Sequence, residues 1–446
     1  MASWSPADWQ QFSCAQQVNY PTQTALTTTL QTLTELPPLV ASAEIDQLRQ
    51  QLRLAARGQA FILQGGDCAE SFADCNQATI TNKLKILLQM SLILLHGLRR
   101  PVIRIGRIAG QYAKPRSNAM ETIDNVSLPS YRGDLINQPQ FTEAARTPDP
   151  TRMLTGYYHA AATLNYLRAL IDGGFADLQH PENWDLAFVQ HSTMAQDYAK
   201  LVNAIHDALA FVQTINGVKT SRLNQVDFYT SHEALHLPYE QALTRRIKDQ
   251  WYNLGTHLPW VGMRTANLDG AHLAYLAGIT NPVGIKVSST VDSDWLNAII
   301  DRLNPQNAED KLILITRLGK DHVSTCLPKL IETVQQRQAN VIWSCDPMHG
   351  NTQTTTQGYK TRHFDDILSE LTQTFTIHQQ CNSHLAGVHF ELTGENVTEC
   401  IGGARGLNEQ DLQHAYKSLV DPRLNYEQSL EMAMRLAQLG SHHSDG

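Results

Sequence analysis

A thiol, an imidazole and two carboxylates, those of Cys68, His349, Glu391 and Asp421, lie far apart in this chain. Three of them share one local setting, because Cys68, His349 and Glu391 each follow or end a short apolar run. These donor types form a shell for a divalent transition metal with one position left open. Taken singly they have plainer readings: Cys68 as a small buried residue, and Asp421, before Pro422, as the start of a turn. A second set is cationic, with Arg107, Lys114 and Arg116 in one loop and Arg264, Lys286 and Arg317 at later run ends. Lys and Arg are seldom buried without partners, so their convergence in one mouth implies anionic ligands, phosphates or carboxylates. Two anionic substrates would account for their number. The competing reading pairs some of them with Glu233, Asp269 or Asp346 in structural salt bridges.

The elements that would position these groups are eight short, β-branched-rich runs at 60–63, 102–105, 226–229, 259–262, 283–287, 312–316, 341–343 and 387–390. At or just past their ends stand Cys68, Arg107, Glu233, Arg264, Lys286, Arg317, His349 and Glu391. Chemistry gathered at the carboxyl ends of successive strands predicts an α/β fold, a (β/α)8 TIM barrel. The barrel domain is expected over 59–446, after an N-terminal extension, 1–58, whose segment 43–56 has the periodicity of an amphipathic helix. About 120 residues separate the second run from the third, far more than a crossover needs, so an insertion is expected at about 112–220. Its first part, 112–150, reads as a long ordered loop, and its second carries helical patterns at 151–172 and 193–213. Such a helical pair serves either as an oligomer or regulatory interface or as plain packing. The most apolar window, 86–98, is too short to span a bilayer and reads as the helix after the first strand.

Hydrophobic residues at 42% and charged residues at 17% are those of a soluble globular protein, not of a disordered or fibrous chain. A net charge of -8 would repel a phosphate backbone, so nucleic acid is not an expected partner. Seven scattered cysteines, an odd number without a C-x-x-C pair, predict a reducing cytosol. The first residues lack a basic region followed by an apolar stretch, which predicts a cytoplasmic protein with neither export nor a membrane partner.

Several stretches are longer than this logic requires. Gln64-Gly65-Gly66-Asp67-Cys68-Ala69-Glu70-Ser71-Phe72, the segment from Arg104 through Gly106-Arg107 to Lys114-Pro115-Arg116-Ser117, and Ser344-Cys345-Asp346-Pro347-Met348-His349-Gly350-Asn351-Thr352 resemble type II 3-deoxy-D-arabino-heptulosonate 7-phosphate (DAHP) synthases. So do Thr393-Gly394-Glu395-Asn396-Val397-Thr398-Glu399-Cys400 and Asp421-Pro422-Arg423-Leu424-Asn425, in matching order. The resemblance implies a transferase that condenses phosphoenolpyruvate with erythrose 4-phosphate and water, giving DAHP and phosphate in the first step of the shikimate pathway. It implies Mn²⁺, or Co²⁺ or another transition metal, on Cys68, His349, Glu391 and Asp421. Phosphoenolpyruvate would meet Arg107, Arg264, Lys286 and Arg317, and the sugar phosphate Lys114, Pro115, Arg116 and Ser117. Lys286, Glu233 and Arg317 would act on the reacting atoms, Glu233 near the attacking water. The resemblance further implies a homo-oligomer and a chorismate mutase partner.

The chain also departs from that pattern. Gly262-Met263-Arg264 stands where the family usually has an acid between Gly and Arg, Thr265-Ala266-Asn267 replaces Thr-Arg-Gln, and Ser288-Ser289-Thr290 replaces a Gly-rich turn. Val420 occupies a common Cys position, which leaves Cys68 no disulfide partner there and free for metal. One reading is a working synthase with a tuned pocket, a paralogue serving secondary metabolism. The rivals are a regulatory protein that docks a partner, and a synthase using another aldose phosphate.

Overall fold

The computed structural model describes residues 4–173, 196, 200 and 226–441. The helical pattern at 193–213 therefore lies, apart from residues 196 and 200, outside the described residues. All eight apolar runs form parallel strands: β1 (Phe61–Gly66), β2 (Val102–Arg107), β3 (Phe228–Glu233), β4 (Leu258–Val261), β5 (Val283–Ser288), β6 (Leu312–Arg317), β7 (Ile342–Cys345) and β8 (Gly387–Glu391). They close in the order β1-β8-β7-β6-β5-β4-β3-β2, a (β/α)8 barrel. Strands β1 and β3 run on past their apolar runs, because polar side chains in the barrel satisfy one another: Gln64 Nε2 donates to Ser231 Oγ at 2.9 Å, both buried. Register aligns the chemistry, Gly66 pairing with Arg107 on one side and Glu391 on the other. A Cβ on Gly66, whose φ is 144°, would come within 2.6 Å of the Arg107 carbonyl oxygen, so only glycine allows this approach.

The described helices longer than seven residues are α1 (Gln23–Glu35), α2 (Ser42–Ala56), α3 (Gln77–Leu98), α4 (Arg152–Asp172), α5 (Ala271–Gly278), α6 (Ser293–Leu303), α7 (Val323–Gln336), α8 (Phe364–Gln380) and α9 (Tyr426–Ser441). Helix α2 is the amphipathic segment of the extension, and it closes the amino-terminal end of the barrel. Its Leu48, Leu52 and Ala55 pack with Ile62, Ile103, Ile105, Tyr229, Leu258, Ile313 and Ile342. Arg49 and Arg53 fasten it to buried Asp310 at 3.2 and 2.8 Å. With that end plugged by apolar side chains, the polar strand ends face the other way. The loop at 112–150 contains more structure than expected. Met120–Ile123 and Val126–Pro129 form an antiparallel hairpin. Its two turn residues, Asp124 and Asn125, have φ of 48° and 64°, the left-handed conformation a tight hairpin requires.

The apolar window at 86–98 lies, as expected, in the helix that follows β1, and that helix is longer than the window. With 22 residues it is long and apolar enough to cross a membrane by length and composition. It begins at Gln77 because the Asn76 side chain accepts the Thr79 N–H at 3.0 Å and caps it. Most of it is buried against β1, β2 and α9, which explains its apolar character as that of a core helix. A Cβ on Gly97 would stand 2.3 Å from the Ala437 Cβ of α9. Gly97→Ala is therefore expected to destabilise the fold by about 1–3 kcal/mol through overpacking, measured as a lower midpoint of urea unfolding. An unchanged midpoint would show that the two helices can separate at no cost.

Candidate active site

The metal-ligating types meet at the barrel mouth. The Cys68 Sγ and one carboxylate oxygen each from Glu391 and Asp421 lie within 4.8 Å of one another. His349, just past β7, brings Nε2 to 3.1 Å from Glu391 Oε1. Its other nitrogen, Nδ1, is 2.7 Å from Asp346 Oδ2, and a carboxylate on that side orients the ring and favours a free lone pair on Nε2. A thiol, an imidazole and two carboxylates gathered this closely fit a transition metal ion. All seven cysteines are free, including Cys68.

The fields in this cluster are strong. Burial and the neighbouring Glu391 carboxylate push the Cys68 thiol well up. Burial also opposes charge on Glu391, yet His349, Arg362 and Lys114 hold its carboxyl well below the usual range. Asp421 is likewise held down, against burial, by Lys114. The Lys114 ammonium touches Cys68 Sγ and stands 2.7 Å from Asp421 Oδ2 and 3.9 Å from Glu391 Oε1. Lys114 is thus one cation of the cluster, and with Pro115, Arg116 and Ser117 it lines an adjoining cavity of about 460 Å³.

Three of the expected anion binders converge from separate strands. Arg107 is buried at the end of β2, with Nη1 2.8 Å from His389 Nε2, Nη2 donating to the Cys68 carbonyl at 3.0 Å, and Glu391 Oε1 at 3.2 Å. Lys286, on β5, is buried and pairs with Asp346 Oδ2. Both cations border the Trp260 indole, at 5.2 Å for Arg107 and 5.1 Å for Lys286. Arg317 donates from Nη2 to the His349 carbonyl at 2.8 Å. Arg264 stands apart from them. It is exposed at the rim, donates to Ser117 Oγ at 2.8 Å, and borders the same cavity as Lys114 and Arg116.

Glu233 ends β3, buried, and burial raises its carboxyl pKa while Lys114 and Arg107 oppose the rise. Its Oε1 has no hydrogen-bond partner, nor do the buried Trp260 Nε1, Arg107 Nε and Arg317 Nε. Buried donors and acceptors without partners are expensive, so their accumulation at one barrel end marks a place shaped for a polar ligand. Gly262 permits part of this arrangement, since a Cβ there would approach Glu233 Oε1 to 2.7 Å. Of the structural salt bridges weighed for the cations, the one with Asp346 forms and takes Lys286.

Several contributors escaped sequence reasoning. Arg362 is fully buried and pairs with Glu391 Oε2 at 2.8 Å, and Lys360 reaches Asp421 Oδ1 at 3.0 Å. Glu370, from α8, ties together the loops that follow β6 and β7. Its Oε1 accepts the N–H groups of Leu318 and Gly319 at 2.8 and 2.9 Å, and its Oε2 accepts Asn351 Nδ2 at 2.7 Å. The flanking residues of the motifs prove to be scaffolding. Arg423 binds Asp67 at 2.6 Å and Glu399 at 2.8 Å, Lys83 binds Asp67 at 2.5 Å, and Glu70 accepts the N–H groups of Ala109, Gly110 and Gln111. This network fixes Cys68 between Asp67 and Glu70 and holds the loop of Asp421 against them.

The comparisons with known proteins agree with this geometry. The model of the class-II DAHP synthetase family matches residues 4–437. A Neurospora crassa protein named phospho-2-dehydro-3-deoxyheptonate aldolase is 45% identical over 97% of this chain and 94% of its own length. A Streptomyces coelicolor protein of the same name is 44% identical over 97% of this chain and 96% of its own. With the barrel, the strand-end groups and these matches all in register, the chain belongs to the class-II DAHP synthetase family.

Proposed function

We propose that this protein condenses phosphoenolpyruvate with erythrose 4-phosphate and water to form 3-deoxy-D-arabino-heptulosonate 7-phosphate and inorganic phosphate. The observation that carries the reading is the juxtaposition of buried Arg107 and Lys286 and half-buried Arg317, with unpaired polar atoms around them, beside the Cys68, His349, Glu391 and Asp421 cluster. Membership of the family supports the same substrates.

In this reading Arg107, Lys286 and Arg317 receive the phosphate and carboxylate of phosphoenolpyruvate. Guanidinium forks fix such groups in a plane, so the enol face turned to the aldehyde is set before reaction. Lys114, Arg116, Ser117 and Arg264 border the cavity that takes the sugar phosphate. A divalent ion held by Cys68, His349, Glu391 and Asp421, for which we choose Mn²⁺, would supply Lewis-acid polarisation of the aldehyde oxygen. C3 of the enol ester bonds to the aldehyde carbon with the enol π pair, and C2 becomes electron-poor. The aldehyde C=O π pair moves onto its oxygen, which takes a proton from solvent to become a hydroxyl. Water adds to C2, and the proton it releases passes to the Glu233 carboxylate, whose raised pKa suits it as acceptor. The hemiketal phosphate then breaks its C2–O bond, and phosphate leaves as the ketone forms. Met263 removes one acid near this point, which leaves Glu233 to order the water with Lys286.

The test is phosphate release from phosphoenolpyruvate with erythrose 4-phosphate and Mn²⁺, against a metal-stripped control, with the product identified by mass spectrometry. Metal-dependent formation of the seven-carbon product supports the proposal. Binding of phosphoenolpyruvate without turnover would turn the assignment toward another aldehyde or a regulatory role.

A further inference from the structure

The N-terminal strap reaches the active-site mouth at one residue. Trp9 is fixed by its Nε1 donating to Gln241 Oε1 at 2.9 Å, and Ser13 accepts the Ala271 N–H at 3.0 Å. Gln16 follows with a φ of 60°, a left-handed conformation uncommon for a residue with a side chain. Its amide lies against the backbone of Arg116 and satisfies both groups. Oε1 accepts the Arg116 N–H at 2.9 Å, and Nε2 donates to the Arg116 carbonyl at 3.1 Å. Arg132 Nη1 donates to the Gln16 carbonyl at 3.2 Å, and the Arg132 carbonyl accepts the Lys114 N–H at 2.9 Å. Pro115 offers no N–H, so the backbone of Arg116 is held here by the Gln16 amide.

Gln16 thus touches both arginines, accepting from Arg132 Nη1 at its carbonyl, and burial and then the positive charge of Arg116 disfavour the charge on Arg132. Among the described residues neither forms an ion pair with a carboxylate within 4.0 Å, which leaves the charge of Arg116 for an anion in the cavity it borders. Strained backbone held at such a place is a sign of imposed geometry.

We infer that Gln16 is a positioning residue for the sugar phosphate: by clamping the backbone of Arg116 it aims that guanidinium into the substrate cavity, and so makes the N-terminal strap part of the active site. This rests on the proposed assignment of the 114–117 loop to erythrose 4-phosphate.

The experiment compares Gln16→Ala, Gln16→Gly and Arg116→Ala in the full chain with Mn²⁺, measuring KM for each substrate and the melting temperature. Both Gln16 variants are expected to raise KM for erythrose 4-phosphate by about five- to tenfold through misplacement of the phosphate-binding group. KM for phosphoenolpyruvate should stay within about twofold, because Arg107, Lys286 and Arg317 do not depend on the strap. Gln16→Gly separates position from strain, since glycine adopts a positive φ freely, and its melting temperature should fall no further than that of Gln16→Ala. Unchanged KM for the sugar phosphate in both variants, or an equal rise for both substrates, would overturn the clamp while Arg116→Ala still raises it. If Arg116→Ala leaves that KM unchanged, the cavity assignment itself is wrong and the inference falls with it.

Discussion

Cys68→Ser is expected to lose bound transition metal and to lower kcat/KM by at least about a thousandfold, the scale set by removing a preorganised charge stabiliser from an active site. The change is nearly isosteric at a fully buried position, so the barrel should be little disturbed. Its chemical effect is large, because a serine hydroxyl stays protonated where a thiol releases its proton and binds a metal as the thiolate. The surroundings make the loss sharper. The Lys114 ammonium contacts Cys68 and Asp421, so it competes for the same donor atoms that would hold a metal ion. A cluster weakened by one anionic donor would shift the balance toward Lys114, which Asp421 still holds at 2.7 Å and Glu391 faces at 3.9 Å. The measurement is metal content after gel filtration, by elemental analysis, alongside turnover and the melting temperature. Stoichiometric metal in a folded Cys68→Ser protein would remove Cys68 from the ligand set. Asp421→Asn serves as an independent check, because the amide keeps the shape and removes the charge, and it should fail in the same way.

Why the barrel was legible while part of its site was not follows from what each depends on. Strands of a parallel barrel are covered on both faces, so each writes a short apolar run that survives in the sequence regardless of its partners. The groups at the ends of those runs are therefore in phase with the fold, and Cys68, Arg107, Lys286, Arg317, His349 and Glu391 come together for that reason. Arg362 has no such marker. It precedes α8, on no barrel strand, and joins the site only because a loop returns over Glu391. Glu370 is similarly hidden, an acidic residue on a helix with other polar residues around it, whose role rests on facing two loops at once. The hairpin at 120–129 did leave a signal, an Asp124-Asn125 pair between two short strands, masked by the Ser and Pro content of the surrounding loop. Arg264 shows the limit of assigning by strand end alone: β4 stops at Val261, the chain turns through Gly262, and the guanidinium emerges at the rim beside Ser117 instead of within the mouth.

Lys286→Met should abolish measurable condensation, a loss of at least about a thousandfold in kcat/KM, with the metal site still filled. Methionine matches the length and apolar stem of lysine and leaves the Trp260 face covered, so the effect isolates the ammonium. Asp346 then keeps His349 Nδ1 at 2.7 Å as its partner, which preserves the orientation of the imidazole. The same ammonium gives the wild-type protein a characteristic pH dependence. Burial lowers the Lys286 pKa to about 8, although the adjoining Asp346 carboxylate opposes the shift. Below about 8 the free enzyme therefore carries the positive charge that an anionic substrate needs, and above it the charge is lost. With phosphoenolpyruvate as the varied substrate, kcat/KM is expected to fall above that point by about tenfold per pH unit, since one proton is released from the free enzyme. In the complex, the bound phosphate or carboxylate stabilises the ammonium and raises its pKa, so kcat should remain level over the same interval. A profile of kcat/KM that stays flat to high pH would remove Lys286 as the titrating group. Lys286→Arg offers no simple rescue, because a planar guanidinium does not fit the place of a compact ammonium between Asp346 and the indole. Loss of activity in both variants, with metal retained in both, would tie the chemistry to the small, buried charge at this position on β5.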